Sequence, residues 1–580
     1  MTSNAELAAR LEEFADLLEA KDVEYKPRAY RRAAENVAEY PGDVVDLAED
    51  GVEAVQEIDR VGEAIADKLV EYVETGTIEE LEDLRAELPV EMDALTSVEG
   101  VGPRTVGTLY EALGIETLDD LEAAAEAGEI QDVSGFGAKT EQNILDGIDF
   151  AREAHERQLL GEARPRGERV REYLRAVEAV QQCELGGSLR RWKPTIGDVD
   201  ALVASTEGPS VVEAFTDWDG ADRVIEAGEG KASLRADGVR IDLRVVDPTE
   251  FGAALQYFTG SKDHNVDLRN RAIDRDLKLN EYGVFDISAV EGEVDDQRAG
   301  ERVAGESEAE VYEALDLPWI PPELRENRGE IAAADAGELP ELIETDEIRG
   351  DLHVHTEWSD GNNTIDEMAA AAAERGDEYV CIADHATGPG MVGGVGLTDD
   401  ELREQREAIE AVEDERDDIT VLTGVEANID TDGGISVGDE VLETLDLVVA
   451  SPHAGLDGDG TDRLIEAARH PAVDVIGHPT GRQLNRRPGL DVDVSAVAEV
   501  AAEHDTALEV NANPHRLDLE GSQVKRAIDA GATIAIDTDA HRPEALDYRR
   551  FGVHTARRGW AEDANVLNAR SAAGLHDFLG

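Results

Sequence analysis

GGSLRRWKPTIGDVDALVAS, residues 186–205, reads as a turn of small residues, a pair of arginines, a second turn at Gly197 and then a strand. Side chains alternate along a strand, so GDVDALV carries Asp198 and Asp200 on one face. Two carboxylates side by side repel unless cations lie between them, and oxygen ligands favour Mg²⁺. In a chain with 132 acidic residues such a pair often marks only a solvated face; its neighbours give it weight. Gly186, Gly187 and Ser188 offer backbone N–H groups, and Arg190 and Arg191 are suited to clamping phosphate oxygens. Downstream, VRIDLRVV (239–246) supplies Asp242 on a second strand, with Arg240 on the same face. Three carboxylates, a small-residue phosphate loop and arginines compose a two-metal nucleotidyl-transfer centre.

Upstream, the first 150 residues read as all-helical and repeat one core: IDRVGEAIADKL (58–69), VEGVGPRTVGTL (98–109) and VSGFGAKTEQNIL (133–145). In each, a Gly-centred turn opens a helix, which leaves backbone N–H groups and a positive helix end facing outward. The bland reading is helix packing with glycine as a cap; three copies argue against it. The pattern resembles the helix-hairpin-helix module, which grips nucleic-acid backbone without reading sequence. Gly62, Gly100, Gly102, Gly135, Gly137 and Lys139 are the expected DNA contacts, and Arg60 stands where the module usually has its leading glycine.

Continuing past the carboxylates, QYFTGSKDHNVDLRNRA (256–272) and LKLNEYGVF (277–285) complete an ordered series with GGSLRR, GDVD and RIDLR. This series resembles the family X DNA polymerases. The resemblance implies that Asp198, Asp200 and Asp242 hold two Mg²⁺ ions between the primer 3′-hydroxyl and a deoxynucleoside triphosphate. It further implies that Gly187, Ser188 and Arg191 hold the triphosphate, that Tyr257 and Phe258 line the sugar pocket, and that Asn265 and Arg269 face the nascent base pair and template minor groove. Such phosphoryl transfer needs positioning and charge stabilisation more than covalent chemistry. Trp192 replaces a residue that is smaller in many relatives, and Lys68 falls where related enzymes carry a Schiff-base lysine for deoxyribose-phosphate removal. A lyase amine must lose its proton, which arginine does not do. Phosphate-backbone contact is the simpler role for Lys68.

Eleven of the thirteen histidines lie after residue 350. There, apolar runs alternate with helical patterns: YVCIADHA (379–386), ITVLTGVEANI (419–429), LDLVVASPHA (445–454), VDVIGHP (473–479), ALEVNANP (507–514) and TIAIDTDAH (533–541). Repeated βα units predict a parallel barrel with its chemistry at the C-terminal strand ends. His385, Glu426, His453, His478, Asp539 and His541 fall at such ends, and RGDLHVHTEWSDG (349–361) adds His353, His355 and Asp360. A lone histidine there is usually structural, but six with three carboxylates suit two or three first-row metal ions, with Mn²⁺ or Zn²⁺ preferred. The order HxH, DH, E, H, H, DxH resembles the PHP (polymerase and histidinol phosphatase) domain, implying metal-assisted hydrolysis of a phosphodiester, with Arg482 as a phosphate clamp.

The expected fold is multidomain: a helical helix-hairpin-helix region, an α+β nucleotidyltransferase palm with thumb, and a C-terminal TIM-like, distorted β/α barrel. The expected boundaries are 1–85 for a lyase-like helical domain, 86–150 for fingers, 151–250 for the palm, 251–317 for the thumb, 318–345 for an acidic, Pro-punctuated linker and 346–580 for the PHP domain. Together these imply a repair polymerase that fills short gaps and an attached 3′→5′ exonuclease, acting on gapped or primer-template DNA. The alternatives are a small-molecule phosphatase fused to a degenerate DNA-binding module, and a scaffold in which neither site turns over.

Composition sets the surroundings. The formal charge is −78, with 132 acidic against 54 basic residues, of which only nine are lysine. That pattern resembles proteins of salt-accumulating halophiles, where a Debye length of about 3 Å at molar salt screens self-repulsion. Two cysteines, Cys183 and Cys381, build no disulfide framework and fit a reducing cytoplasm. MTSNAELAARLEEFADLLEAK (1–21) lacks the basic and apolar regions of a secretion signal. No apolar run reaches the roughly 18–20 residues of a membrane helix, so the expectation is a soluble protein.

Overall fold

The computed structural model describes residues 4–23, 25–38, 40, 44–56, 58, 60–98, 100–290, 296–391 and 395–579. It divides into two compact units. Residues 1–156, with the short stretch 485–487, form one, and the remainder forms the other.

The first unit is helical, from Asn4–Ala20 to Ala138–Glu156. One apolar core runs through it from Leu7 to Ile148, so the two expected helical domains share an interior. The three predicted hairpin turns have the same geometry. Val61 donates to Ile58 O (3.1 Å), Val101 to Val98 O (3.0 Å) and Phe136 to Val133 O (3.1 Å). The residue before each donor is left-handed: Arg60 at φ 60°, Gly100 at 80° and Gly135 at 97°. Arg60 therefore adopts the conformation that the other copies assign to glycine, at the steric cost a β-carbon brings.

The second unit begins with a five-stranded palm sheet: β1 (Gln182–Leu185), β2 (Val199–Ala204), β3 (Arg223–Ala227), β4 (Lys231–Ala236) and β5 (Val239–Val246), in the order β1-β2-β5-β4-β3. β2 and β5 are parallel, and their register sets Asp200 opposite Asp242. Helices Phe251–Thr259 and Lys262–Ile273 lead into a small antiparallel sheet of β6 (Leu277–Asn280), β7 (Gly283–Asp286) and β8 (Glu301–Ala304).

The stretch expected as a linker is folded into this unit. It contains the helix Glu330–Ala336, and Arg325 within it is completely buried. Three of its acidic residues face inward partners, while Asp335, Glu338 and Glu341 are exposed. Glu330 accepts from His264 (2.6 Å), Glu326 from Arg191 (2.9 Å) and Glu323 from His554 (2.7 Å). Charge pattern cannot distinguish a solvated carboxylate from one paired across the fold.

The barrel follows: β9 (Gly350–Val354), β10 (Tyr379–Ile382), β11 (Thr420–Asn428), β12 (Leu447–Ser451), β13 (Val475–Ile476), β14 (Ala507–Asn511) and β15 (Ile534–Asp537). All seven are parallel and lie in chain order. A parallel bridge between Val354 and Ala540 brings the first and last strands together, so the barrel is nearly closed. Strands buried on both faces are near-continuously apolar, and the predicted runs are these strands. Among the described residues no helix is long and apolar enough to cross a membrane.

Candidate active sites

The palm brings its three carboxylates to one edge of the sheet. Asp198 is exposed just before β2, while Asp200 and Asp242 sit in register on neighbouring strands. Burial first, then the charges of Asp198 and Asp242, push the Asp200 carboxyl up to about 7. Such a site gains when cations replace protons among the carboxylates. Arg240 Nε donates to both oxygens of Asp242 at 3.0 Å, and Ser233 Oγ also bonds Asp242. Lys231, Arg240, Arg244 and Phe258 line the adjoining pocket.

The expected phosphate loop lies directly against this edge. Gly186 N–H donates to Asp200 O (2.8 Å), and Gly187 at φ 59° starts the short helix Gly187–Arg190 that carries Ser188. Arg191 donates from Nε to Glu326 (2.9 Å) and from an Nη to Thr259 O (2.7 Å). Arg190 makes a fork to both oxygens of Glu308 (2.8 Å each). Tyr257 and Phe258 pack edge to face with ring centres 5.1 Å apart, and Arg244 lies 4.5 Å from the Phe258 ring centre. The side-chain amide of Asn265 is turned inward, donating to Tyr257 O (2.7 Å) and accepting from Gln256 (2.8 Å). In this state it braces the turn after the Tyr-Phe pair, while Arg269 is exposed one helical turn on.

The barrel gathers all nine expected ligands at one rim. His355, Asp360, His385 and His541 offer one set of donor atoms, His353, His355 and Asp539 a second, and His385, Glu426 and His453 a third. His478 joins them through Nε2, 2.9 Å from Glu426 Oε1. His478 (φ 25°) and Asp539 (φ 55°) have left-handed backbone, local strain of the kind that clusters at functional sites. β14 ends without a predicted ligand.

The donor set fits metal ions. Nε2 of His353, both nitrogens of His355, Nδ1 of His385, Oε2 of Glu426, Nε2 of His453 and Nδ1 of His478 are buried without a hydrogen-bond partner. Each such atom costs about 1–3 kcal/mol if left so. Outer groups fix which nitrogen points inward. His353 Nδ1–H donates to Glu509 (2.7 Å), His453 Nδ1–H to Asn428 (2.8 Å) and His541 Nδ1–H to Asp539 O (2.8 Å). Each leaves Nε2 for the cluster. Burial, then the histidines His541 and His385, lower His355 to about 4, and burial with the charge of Arg516 lowers His478 to about 3, so both imidazoles are neutral near pH 7, the form a metal ion would take.

Sequence reasoning missed Glu509, Asn428 and Arg516. Glu509 is a buried carboxylate inside β14, lost among so many acidic residues; the signal was its place in an otherwise apolar strand. Arg482, the expected clamp, is spent on the backbone: it donates to Arg516 O (2.9 Å) and Leu517 O.

In the first unit, Gly62, Gly100, Gly102, Gly135 and Gly137 are exposed, with open space where a side chain would be, and Lys139 is exposed beside the third turn. That permits close backbone approach by a ligand. Lys68 is bound to Glu80 (2.7 Å) and lies 5.2 Å from the Phe14 ring centre. Burial pulls its pKa down, but bonds to Glu80 and Tyr30 outweigh this and hold it above the ordinary lysine value. The unprotonated amine that a lyase requires is disfavoured.

Comparison with known proteins agrees with this layout. A helix-hairpin-helix domain matches residues 2–78, a SAM-like helix-hairpin-helix tandem 92–149, the DNA polymerase beta thumb 254–326 and the PHP domain 351–513. DNA polymerase lambda of Rattus norvegicus is 26% identical over 285 residues, 46% of this chain and 47% of that one. A probable phosphatase of Caldanaerobacter subterraneus subsp. tengcongensis is 34% identical over 206 residues, 33% of this chain and 75% of that one. The DNA polymerase/3′-5′ exonuclease PolX of Bacillus subtilis (strain 168) is 35% identical over 576 residues, 98% of each chain. With that identity over 98% of each chain, the chain belongs to the PolX family.

Proposed function

We propose that the protein is a DNA-directed DNA polymerase that fills short gaps during DNA repair, base excision repair included, and removes 3′-terminal nucleotides at its PHP barrel. The observation that supports this reading is two separate groups of candidate metal-binding side chains, Asp200 in register with Asp242 near Asp198 and the nine-residue barrel rim. In the palm, Mg²⁺ ions would bring the primer hydroxyl and α-phosphate together and stabilise the charge of transfer. Gly187 and Ser188 present backbone and hydroxyl donors to the triphosphate. Arg191 adds its guanidinium once it leaves Glu326. Tyr257 and Phe258 bound the sugar.

At the rim, Mn²⁺ or Zn²⁺ ions would activate water and neutralise the phosphodiester. The hairpin turns hold the duplex backbone through Gly62, Gly100, Gly102, Gly135 and Gly137, with Lys139 beside them. The acidic, lysine-poor composition fits a salt-rich cytoplasm, where contacts from backbone N–H groups matter more because counterion release weakens as salt rises.

The test is a 5′-labelled primer on a gapped template in high-potassium buffer with Mn²⁺ or Mg²⁺, with and without deoxynucleotides. Extension with nucleotides and shortening without them are expected. Asp198→Ala or Asp242→Ala removes extension alone, and His353→Ala or Asp539→Ala removes shortening alone. A substitution that abolishes both in folded protein overturns the two-site reading. The likeness to a probable phosphatase favours phosphomonoester hydrolysis as the second reading, and a histidinol-phosphate-like ester assayed in parallel separates the two.

A further inference from the structure

We propose that Arg516 is the side chain that grips the scissile phosphate at the barrel rim; this rests on the phosphoesterase reading above. The loop after β14 is built to hold Arg516 in place. Asn513 N–H donates to Asn511 Oδ1 (3.1 Å), His515 N–H to Asn513 Oδ1 (3.0 Å) and Arg516 N–H to Asn513 O (2.8 Å). From the neighbouring strand end, Arg482 holds the carbonyls of Arg516 and Leu517, and its other Nη lies 3.6 Å from Glu520. With Nε and one Nη of Arg482 turned onto main-chain carbonyls, its fork faces the loop and not the rim. Its effect is to fix the backbone that carries the next arginine.

The Arg516 guanidinium is placed differently. Its Nε lies 3.7 Å from Asp539 Oδ2, beyond hydrogen-bond reach, and its side chain keeps 19% of its surface exposed. Asp539 divides its oxygens: Oδ1 faces His355 Nε2 at 3.2 Å, within the ligand set, while Oδ2 accepts from Asn511 (3.1 Å) and faces Arg516. Arg516 thus stands beside the ligand cluster, partly exposed and ion-paired with Asp539, and among the described residues no hydrogen bond takes up its guanidinium donors. Arg463, by contrast, is consumed by Ile429 O, Ala454 O and Gly455 O. A guanidinium fork matches two non-bridging phosphate oxygens, and the match strengthens as negative charge grows on them during attack.

The experiment uses the full chain, metal-loaded, as wild type, Arg516→Ala, Arg516→Gln and Arg516→Lys. Each is assayed on a 3′-recessed duplex and on bis(p-nitrophenyl) phosphate, inorganic phosphate affinity is measured by titration calorimetry, and metal content by mass spectrometry. The expectation for Arg516→Ala and Arg516→Gln is a fall of about 100-fold or more in kcat on both esters, weaker phosphate binding, unchanged metal content and unchanged primer extension. Arg516→Lys recovers part of the loss as a point charge without the fork. Unchanged phosphate affinity and hydrolysis in both neutral variants overturns the assignment. Loss of metal without loss of phosphate affinity also overturns it, and would make Arg516 a support for Asp539. Wild type that cleaves the small ester but not DNA rejects the exonuclease reading and leaves the Arg516 comparison intact.

Discussion

A methyl group placed on Gly187 would lie 2.2 Å from Oδ2 of Asp200. The turn at Gly187 and the carboxylate edge are therefore in direct contact, and the absence of a side chain permits it. Gly187 also sits at φ 59°, a conformation costly for any other residue. Gly187→Ala should displace the Asp200 carboxylate or the loop, by distances that cost on the order of 100-fold in rate. Single-nucleotide incorporation is expected to fall by at least that factor while shortening of an unextended primer stays at the wild-type rate. Incorporation near the wild-type level would show that the loop yields without consequence.

At the other site, Glu509 takes His353 Nδ1–H on one oxygen (2.7 Å) and the His478 backbone N–H on the other (2.5 Å). An amide in its place must set its NH₂ against one of these two donors. Either the His353 proton moves to Nε2, which removes the ligand, or the His478 backbone shifts. Glu509→Gln is expected to weaken metal binding about 10–100-fold, the usual range for an outer partner. Metal titration of the full chain should show this, with shortening activity recovering at raised Mn²⁺ and primer extension unaffected.

The depth of legibility differs between these two residues for a physical reason. The clustering at the barrel rim was readable because strand ends in a parallel barrel face one rim, so chain order alone collects His353, His355, His385, His453, His478, Asp539 and His541 as candidate ligands. Glu509 was not: it lies two residues before the end of β14, a place that Glu426 also holds in β11, and in so acidic a chain only its hydrogen bond to His353 sets it apart. Arg482 and Arg516 show the same limit: sequence gives two arginines near strand ends, and only backbone geometry decides which of them is spent. Residues 318–345 read as a linker because Glu308 and Arg325 are 17 positions apart, and their buried pairing leaves no local periodicity.

Asp474 offers a test of the barrel's electrostatics away from its ligands. It accepts the Val448 N–H (2.8 Å), and burial pushes its carboxyl up to about 7. An unfolded aspartate titrates near 4. The folded state thus favours the protonated form: that stability is complete below pH ~4 and is lost as pH rises through 7. Asp474→Asn keeps an acceptor for Val448 and removes the charge. At fixed salt its melting temperature should match wild type near pH 4 and exceed it above pH 7, by the equivalent of roughly 4 kcal/mol at most. A constant difference across that range would mean that hydrogen bonding, and not charge, sets the effect.

Trp192 follows the phosphate loop directly and is held by residues from elsewhere in the same unit. The Arg164 guanidinium lies 3.8 Å from its ring centre on one side, and the His554 ring stacks on it at 3.5 Å and 9°. Phe551 meets it edge-on at 6.0 Å, and Arg558, from the same helix (Arg549–Arg558), donates to Arg191 O (2.6 Å). A loop expected to bind triphosphate is thus backed by the last long helix of the barrel. Trp192→Ala removes the filling of this contact, a change that typically costs about 3–5 kcal/mol, and it frees the loop that carries Arg191. The expected signature is a lowered melting temperature and a raised KM for deoxynucleotide, with the rate of primer shortening within a few-fold of wild type because the ligand rim is held by other contacts. Trp192→Phe, which keeps an aromatic face for Arg164 and His554, should restore most of the KM. If both variants lowered shortening as much as extension, the contact would be serving the stability of the whole unit and not the posture of the phosphate loop.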